Sequence, residues 1–370
     1  MMYSMVNYTV IYFLLNFIGN DAIPKYFKLQ EEWLYVPVVV HVVYSEESQN
    51  ISDAQIISQI DLINRDYSRA NSDAEQTLEA FKPLAANTRI QFYLARIDPL
   101  GNPTNGITRT STTHGVFANE DIHFADQGGA DAWNPLEYLN VWVCDLPPTI
   151  SGLASTPDQA NEMEDGVVID FESFGTIGTV QPPHHLGRTM THEVGHYLGL
   201  DHTSGRIDGC EDDDGIEDTP LQSASNGNCD LGANSCGSTD MTQNFMNQAD
   251  DDCLNLFTEG QKEVMRDALS TVRSELITND KGRPRRITSI SLRSENRMEV
   301  YPNPSYNGEF FLEPTIENST IKLVDLSGRP VPFQIRQTND RKVITIHQTG
   351  SFILQWREHK ELITTKLINN

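Results

Sequence analysis

Three histidines, a glutamate and a glycine stand at fixed offsets in the stretch TMTHEVGHYLGLDHTS, residues 189–204. His192 and His196 are four residues apart, so a helix aims both from one face toward a single ion. Gly199 lets the chain turn sharply out of that helix through positive φ. The turn returns His202 as a third ligand, which a continuing helix could not do. Three protein ligands and one open position describe a catalytic zinc, whereas a structural zinc is closed by four. Glu193 stands beside the first ligand, within reach of a water at the open position. Its work there is to take the water's proton and pass it to a leaving amine. The plain alternative is a surface helix whose histidines fall at this spacing by accident.

Such a site needs a helix over about residues 186–200 and a frame to hold it. VPVVVHVVY (36–44) is a continuous β-branched run and reads as a fully buried strand. In SDAQIISQIDLINRDYSRA, Ser52 can cap a helix whose Ile56, Ile60, Ile63 and Tyr67 share one face. IQFYLARID (90–98) alternates as a half-buried strand, and YLNVWVCDL and GVVIDFESF read as two more. Residues 203–245 are rich in Gly, Asp, Ser, Asn and Cys, a long loop that needs staples to be ordered. FTEGQKEVMRDALSTVRSEL (257–276) is a helix with a capping box from Thr258 and Gln261. Beyond a linker at 280–296 come six short strand-like runs separated by turn signals, which argue for a small β-sandwich. There are no internal repeats and no phosphate-binding glycine loop.

The 370 residues allow two or three domains. The net charge of -25 is uneven: residues 281–370 carry about +5, and the first 280 about -30. So acidic a body disfavours nucleic acid and anionic membranes as partners, and tolerates calcium. Cys210, Cys229, Cys236 and Cys253 crowd together without C-x-x-C spacing, which suits two disulfides in an oxidising compartment. Cys144 is left over as a buried thiol. YTVIYFLLNFIGN (8–20) is too short to span a bilayer and reads as the apolar core of a signal peptide, though no Lys or Arg precedes it.

The extended motif is the signature of metzincin metalloproteases, whose pattern also requires a methionine turn before the last helix. NFMN, with Met246, stands at that place. VPVVVHVVY, NISDAQIISQIDLINRDY, NPTNGITRT, YLNVWVCDL, DGVVIDFESFGTIG, LGRTMTHEVGHYLGLDH, DDDGIEDTP and NFMNQADDDCLNLFTEGQ together resemble the pappalysin family across residues 35–277. The resemblance implies an α+β fold, a zincin catalytic domain with a mixed twisted sheet plus helices. It implies an endopeptidase acting on protein or peptide substrates, with zinc on His192, His196 and His202 and Glu193 as general base and acid. It implies calcium on Asp214, the Glu217 carbonyl and Thr219, and disulfides Cys210–Cys236 and Cys229–Cys253. Asp251 matches the acid at the base of the S1′ pocket, which implies cleavage before Arg or Lys. Where the family commonly has an oxyanion-supporting tyrosine this chain has Gln248, whose amide donates but cannot ionise. Gln248 is the one feature favouring a catalytically weak zincin-scaffold binding protein; the intact Glu193 opposes it. An intracellular peptidase would need the clustered cysteines reduced. No cysteine precedes Cys144, so latency through a propeptide cysteine is not expected.

VYPNPSYNGEFFLEP, IKLVDLSGRPV, GSFILQW and TTKLINN resemble the C-terminal sorting domain of the type IX secretion system of Bacteroidetes, an immunoglobulin-like sandwich. That resemblance implies a secreted or surface protein exported through the periplasm, with the type IX translocon as partner. The expected parts are a signal-like leader and short pro-segment (1–34), the peptidase domain (35–279), the linker (280–296) and the sorting sandwich (297–370). No stable membrane span is expected, and the oligomeric state is left open.

Overall fold

The computed structural model describes residues 32–370 except 119, 161, 208, 224–226, 228, 280, 282–298, 314–320, 327, 338–341, 359–360 and 370. Residues 1–31 of the expected leader, and the linker apart from Lys281, therefore lie outside the described residues.

The apolar run near the start becomes β1 (Leu34–Tyr44), the centre of a six-stranded sheet. Its first half pairs in parallel with β2 (Ile90–Leu94) and its second half with β3 (Ile107–Ser111) along the same edge. Its other edge pairs with β4 (Leu139–Cys144), which pairs in turn with β6 (Gly166–Asp170), both parallel. The short β5 (Gly152–Ala154) closes that side and alone runs antiparallel, against β6. Strands covered on both faces lose the in–out alternation of a half-buried strand. Accordingly β2, expected to be half-buried, has only Gln91 short of full burial.

One face carries α1 (Asp53–Tyr67), whose N-cap Ser52 accepts the Gln55 N–H at 3.2 Å. Ile56, Ile60, Ile63 and Tyr67 pack there against Val36, Val38, Val40 and Val42 of β1. The opposite face of the sheet holds a second cluster of Val43, Phe117, Ile122, Trp142, Cys144 and Val168. Cys144 is a free, fully buried thiol, and burial pushes its ionisation well up. The same core as α1 receives the motif helix α2 (Arg188–Tyr197), and after a long loop α3 (Glu259–Ser270) and the short α4 (Ser274–Thr278) follow. Thr258 and Gln261 cap α3 reciprocally, at 3.0 and 3.1 Å.

The C-terminal strands form two antiparallel sheets. One orders β10 (Gln334–Gln337), β11 (Lys342–Thr345), β8 (Glu309–Glu313) and β7 (Glu299–Tyr301). The other orders β13 (Glu361–Asn369), β12 (Gly350–Glu358) and β9 (Lys322–Asp325). Phe310, Leu312, Ile344, Leu354 and Trp356 fill the space between them. β10 was not legible as a strand, because all four of its residues are exposed and it carries no apolar pattern. Tyr301, Phe311 and Val343, in register across β7, β8 and β11, point the other way and bury Trp33 among them. No helix among the described residues is long and apolar enough to cross a membrane.

Candidate active site

The motif helix is two residues shorter at its start than the sequence suggests, because Gly187 takes φ 75° and serves as N-cap. Its first turn is fixed from below. Arg188 is 4 % exposed, donates to the Asp251 carbonyl at 2.7 Å and bonds Asp73 at 2.7 Å. The Thr191 hydroxyl donates to the buried Asp66 carboxylate at 2.8 Å. These anchors had no motif to announce them; they come from α1, from the loop after it and from the segment between Met246 and α3.

At the far end Gly199 has φ 95°, and the chain leaves the helix there. The turn brings His202 to His192 and His196, so that the three Nε2 atoms form a triangle with sides of 3.0–3.1 Å. His192 Nδ1–H donates to the Phe245 carbonyl and His196 Nδ1–H to the Leu200 carbonyl, both at 2.7 Å. Those bonds fix the tautomers, leaving lone pairs on Nε2 that face one another. Burial lowers the basicity of all three rings, taking His202 to about 4. Three neutral nitrogens turned inward repel unless a cation sits among them. Tetrahedral zinc at about 2.0–2.1 Å from each ligand wants nitrogens about 3.3 Å apart, so the donor set fits that ion. Among the described residues it is the one group of three metal-binding side chains so placed.

Beneath the triangle lies Met246, wholly buried. Its Sδ packs on Gly195 so closely that a Cβ at position 195 would meet it at 2.3 Å. The Met246 N–H donates to Asn244 Oδ1 at 2.8 Å, which holds the turn. Glu193 is 9 % exposed, and burial raises its carboxyl to about 8. A positive charge at the three nitrogens would favour the ionised form.

Above Glu193 runs β5. A Cβ on Gly152 would come within 2.7 Å of Glu193 Cγ and 2.9 Å of Thr189 Cγ2, so this strand can approach the helix only as glycine. Just outside the two ends of β5, Ser155 N–H donates to the Gly166 carbonyl and Asp170 N–H to the Ser151 carbonyl, so the odd-numbered positions are the ones that bond toward β6. By alternation Gly152 and Ala154 turn their N–H and C=O groups to the free edge of the sheet. Neither this strand nor its role was legible, since three residues of no apolar pattern carry no strand signal.

The cleft between β5 and the histidines holds about 750 Å³ and is also lined by His184, Gln248 and Asp251. Gln248 is exposed on its wall. Asp251 is 1 % exposed, and its Oδ2 accepts the Leu186 and Arg188 N–H groups at 2.8 and 3.3 Å. Its Oδ1 faces His184 Nδ1 at 3.9 Å, and that contact raises the pKa of His184. In the loop after His202, Thr219 Oγ1 lies 2.6 Å from Asp214 Oδ1, while the buried Asp214 Oδ2 has no hydrogen-bond partner. Burial lifts Asp214 to about 6, and Glu217 is exposed beside it. Disulfides Cys210–Cys236 and Cys229–Cys253 staple the same loop.

Residues 124–270 match the model of the family described as Pregnancy-associated plasma protein-A, peptidase family M43. Residues 299–370 match that of the secretion system C-terminal sorting domain. The chain is 30% identical over 235 residues to Extracellular metalloprotease 1 of Coccidioides posadasii, covering 61% of this chain and 73% of that protein. It is 28% identical over 236 residues to an Extracellular metalloprotease of Arthroderma benhamiae, covering 61% and 74%. The structure of Tannerella forsythia mature mirolysin in complex with a cleaved peptide superposes with a TM-score of 0.65 at 44% identity, covering 67% of this chain and 97% of that one. Family match, fold and histidine triangle agree: the chain belongs to the pappalysin family of metzincin zinc metalloproteases, a secreted member that carries a type IX sorting domain at its C-terminus.

Proposed function

We propose that His192, His196 and His202 hold the catalytic zinc and that Glu193 is the general base and acid of an endopeptidase. One observation carries the reading: three inward-facing Nε2 atoms 3.0–3.1 Å apart, with a buried glutamate between them and an open sheet edge. When bound, zinc supplies Lewis-acid polarisation of water and of the scissile carbonyl. Gly152 and Ala154 pair with the substrate backbone as an added strand, which holds the peptide extended over the histidines. Glu193 takes the proton of the attacking water and returns it to the leaving amine. Gln248, on the cleft wall, offers its amide N–H to the developing oxyanion in place of a phenol.

Asp251 receives an Arg or Lys side chain at P1′, displacing His184 from its Oδ1. Asp214, Thr219 and the Glu217 carbonyl take calcium, for which the unpartnered Asp214 Oδ2 is the waiting hard donor. Residues 35–279 are the peptidase domain, 297–370 the sorting domain joined to it by 280–296, and 1–34 a leader and short pro-segment. The route is through the periplasm to a type IX translocon that reads the sandwich.

A peptide library incubated with the purified protein is expected to be cleaved before Arg and Lys, and a zinc chelator to stop cleavage. Glu193→Ala should lower kcat by about 10²–10⁴-fold. Cleavage unchanged in Glu193→Ala would sink the mechanism. A flat profile at P1′ would sink the role of Asp251 alone.

A further inference from the structure

We propose that the cavity on the outer side of β5 is a second specificity site, which takes a lysine or arginine side chain of the substrate at a position other than P1′. The inference rests on the reading of β5 as the strand that pairs with substrate.

The two faces of β5 are fixed by what each residue meets. Position 152 points at Glu193, and Ala154 packs with the core that contains α2. Leu153 lies opposite Val168, a member of the cluster on the other face of the sheet. A peptide paired along the free edge follows the same alternation. The substrate residue facing Gly152 turns its side chain toward the catalytic helix. Its neighbour in sequence, facing Leu153, turns its side chain to the outer face.

A cavity of about 160 Å³ opens on that outer side. This is room for roughly five waters at about 30 Å³ each, or for one long side chain. Its floor is apolar, from Phe117, Ile122, Leu146 and Val168, and suits the methylene stem of a basic residue. Its rim is acidic. Asp165 is already committed to Arg273 and Ser155, both at 2.7 Å. Glu120, Glu162 and Glu164 have no ion pair with a lysine or arginine among the described residues, and neither residue type lines the cavity. A second, independent mark is His123 in the cavity wall. It is 5 % exposed, its Nε2 lies 3.2 Å from Glu120, and its Nδ1 has no hydrogen-bond partner. Burial keeps this ring neutral at ordinary pH, so it adds no charge that would repel a cation. Leu153, half exposed between cavity and cleft, forms the lip that a substrate side chain crosses.

The test is a library with Arg fixed at P1′ and the positions on either side of it varied one at a time. The full chain is compared with the Glu162→Gln/Glu164→Gln double variant. Wild type should favour Lys and Arg over Ala at one varied position by about tenfold in kcat/KM, the worth of one charge-assisted hydrogen bond. The double variant should lose that preference while cleaving the Ala peptide as wild type does. A flat wild-type profile, or a preference that survives in the double variant, overturns the second site and leaves the endopeptidase reading intact. Failure of wild type to cleave any member overturns both.

Discussion

A methyl group at position 152 would press on the side chain of Glu193, so the glycine's contribution is to have none. Gly152→Ala is expected to push the carboxyl off its line to the histidines. Displacements of about 1 Å can cost about 10²-fold in rate, so kcat should fall by one to two decades with KM nearly unchanged. Circular dichroism should be the same as wild type; a wild-type kcat would show that Glu193 tolerates the shift. The histidines and Glu193 were legible in the sequence because all four lie within a helix and one turn, where spacing alone dictates geometry. Gly152 was not, since its meaning depends on which distant side chain it faces. His184 and Arg188 stayed hidden for the same reason. Their partners, Asp251, Asp66 and Asp73, come from other parts of the chain.

At the scale of elements, the central strand carries a histidine of its own. His41 is 1 % exposed, with Nδ1 2.8 Å from Thr108 Oγ1 on β3 and Nε2 donating to Asn140 Oδ1 on β4 at 3.0 Å. Burial lowers it from 6.5 to about 4, and His123 is lowered to about 4 by the same cause. The unfolded chain therefore binds protons that the folded chain refuses between about pH 6.5 and 4. The contribution of these two histidines to stability is full above that window and drains as pH falls through it, by about 1.4 kcal/mol per pH unit for each. In urea midpoints measured from pH 7 to 4.5, the advantage of wild type over His41→Gln should therefore shrink as the pH falls; a difference constant with pH would show that His41 does not titrate in this way. The long loop behaves differently: its order comes from two disulfides and from the group around Asp214. Millimolar calcium is expected to raise the melting temperature of the wild type, and Asp214→Asn to remove that rise. An equal rise in both would place the ion elsewhere. Composition marked this loop as needing staples, but the pairing of its cysteines came only with the family likeness and the fold.

For the whole molecule, the sequence separated an acidic body from a mildly basic tail and named both folds. It gave no sign that the tail's sheet is apolar on both faces. Phe310 and Phe311 are neighbours on β8, one turned into the sandwich core and the other against Trp33. Alternation reads as half-buried only when one side meets water, and here neither does. Trp33 and Tyr301 approach with ring centroids 4.9 Å apart. None of these residues lines the cleft. Tyr301→Asp should thus loosen the tail, seen as faster proteolysis between residues 280 and 296, while kcat/KM on a short peptide stays at the wild-type value. A parallel loss of activity would mean that the contact also supports the cleft.

The free margin of β5 has one more consequence. Unpaired backbone groups at the side of a sheet are sticky toward any extended chain, including a second copy of the same protein, and long flat margins of this kind seed aggregates. Here the exposed margin is three residues long, with a bend before it at Ser151 and a short 3-10 helix beginning at Pro157 after it. So short a margin suits the passing peptide of the proposed reading, which needs holding for one turnover, better than a folded neighbour, which needs a longer edge to stay.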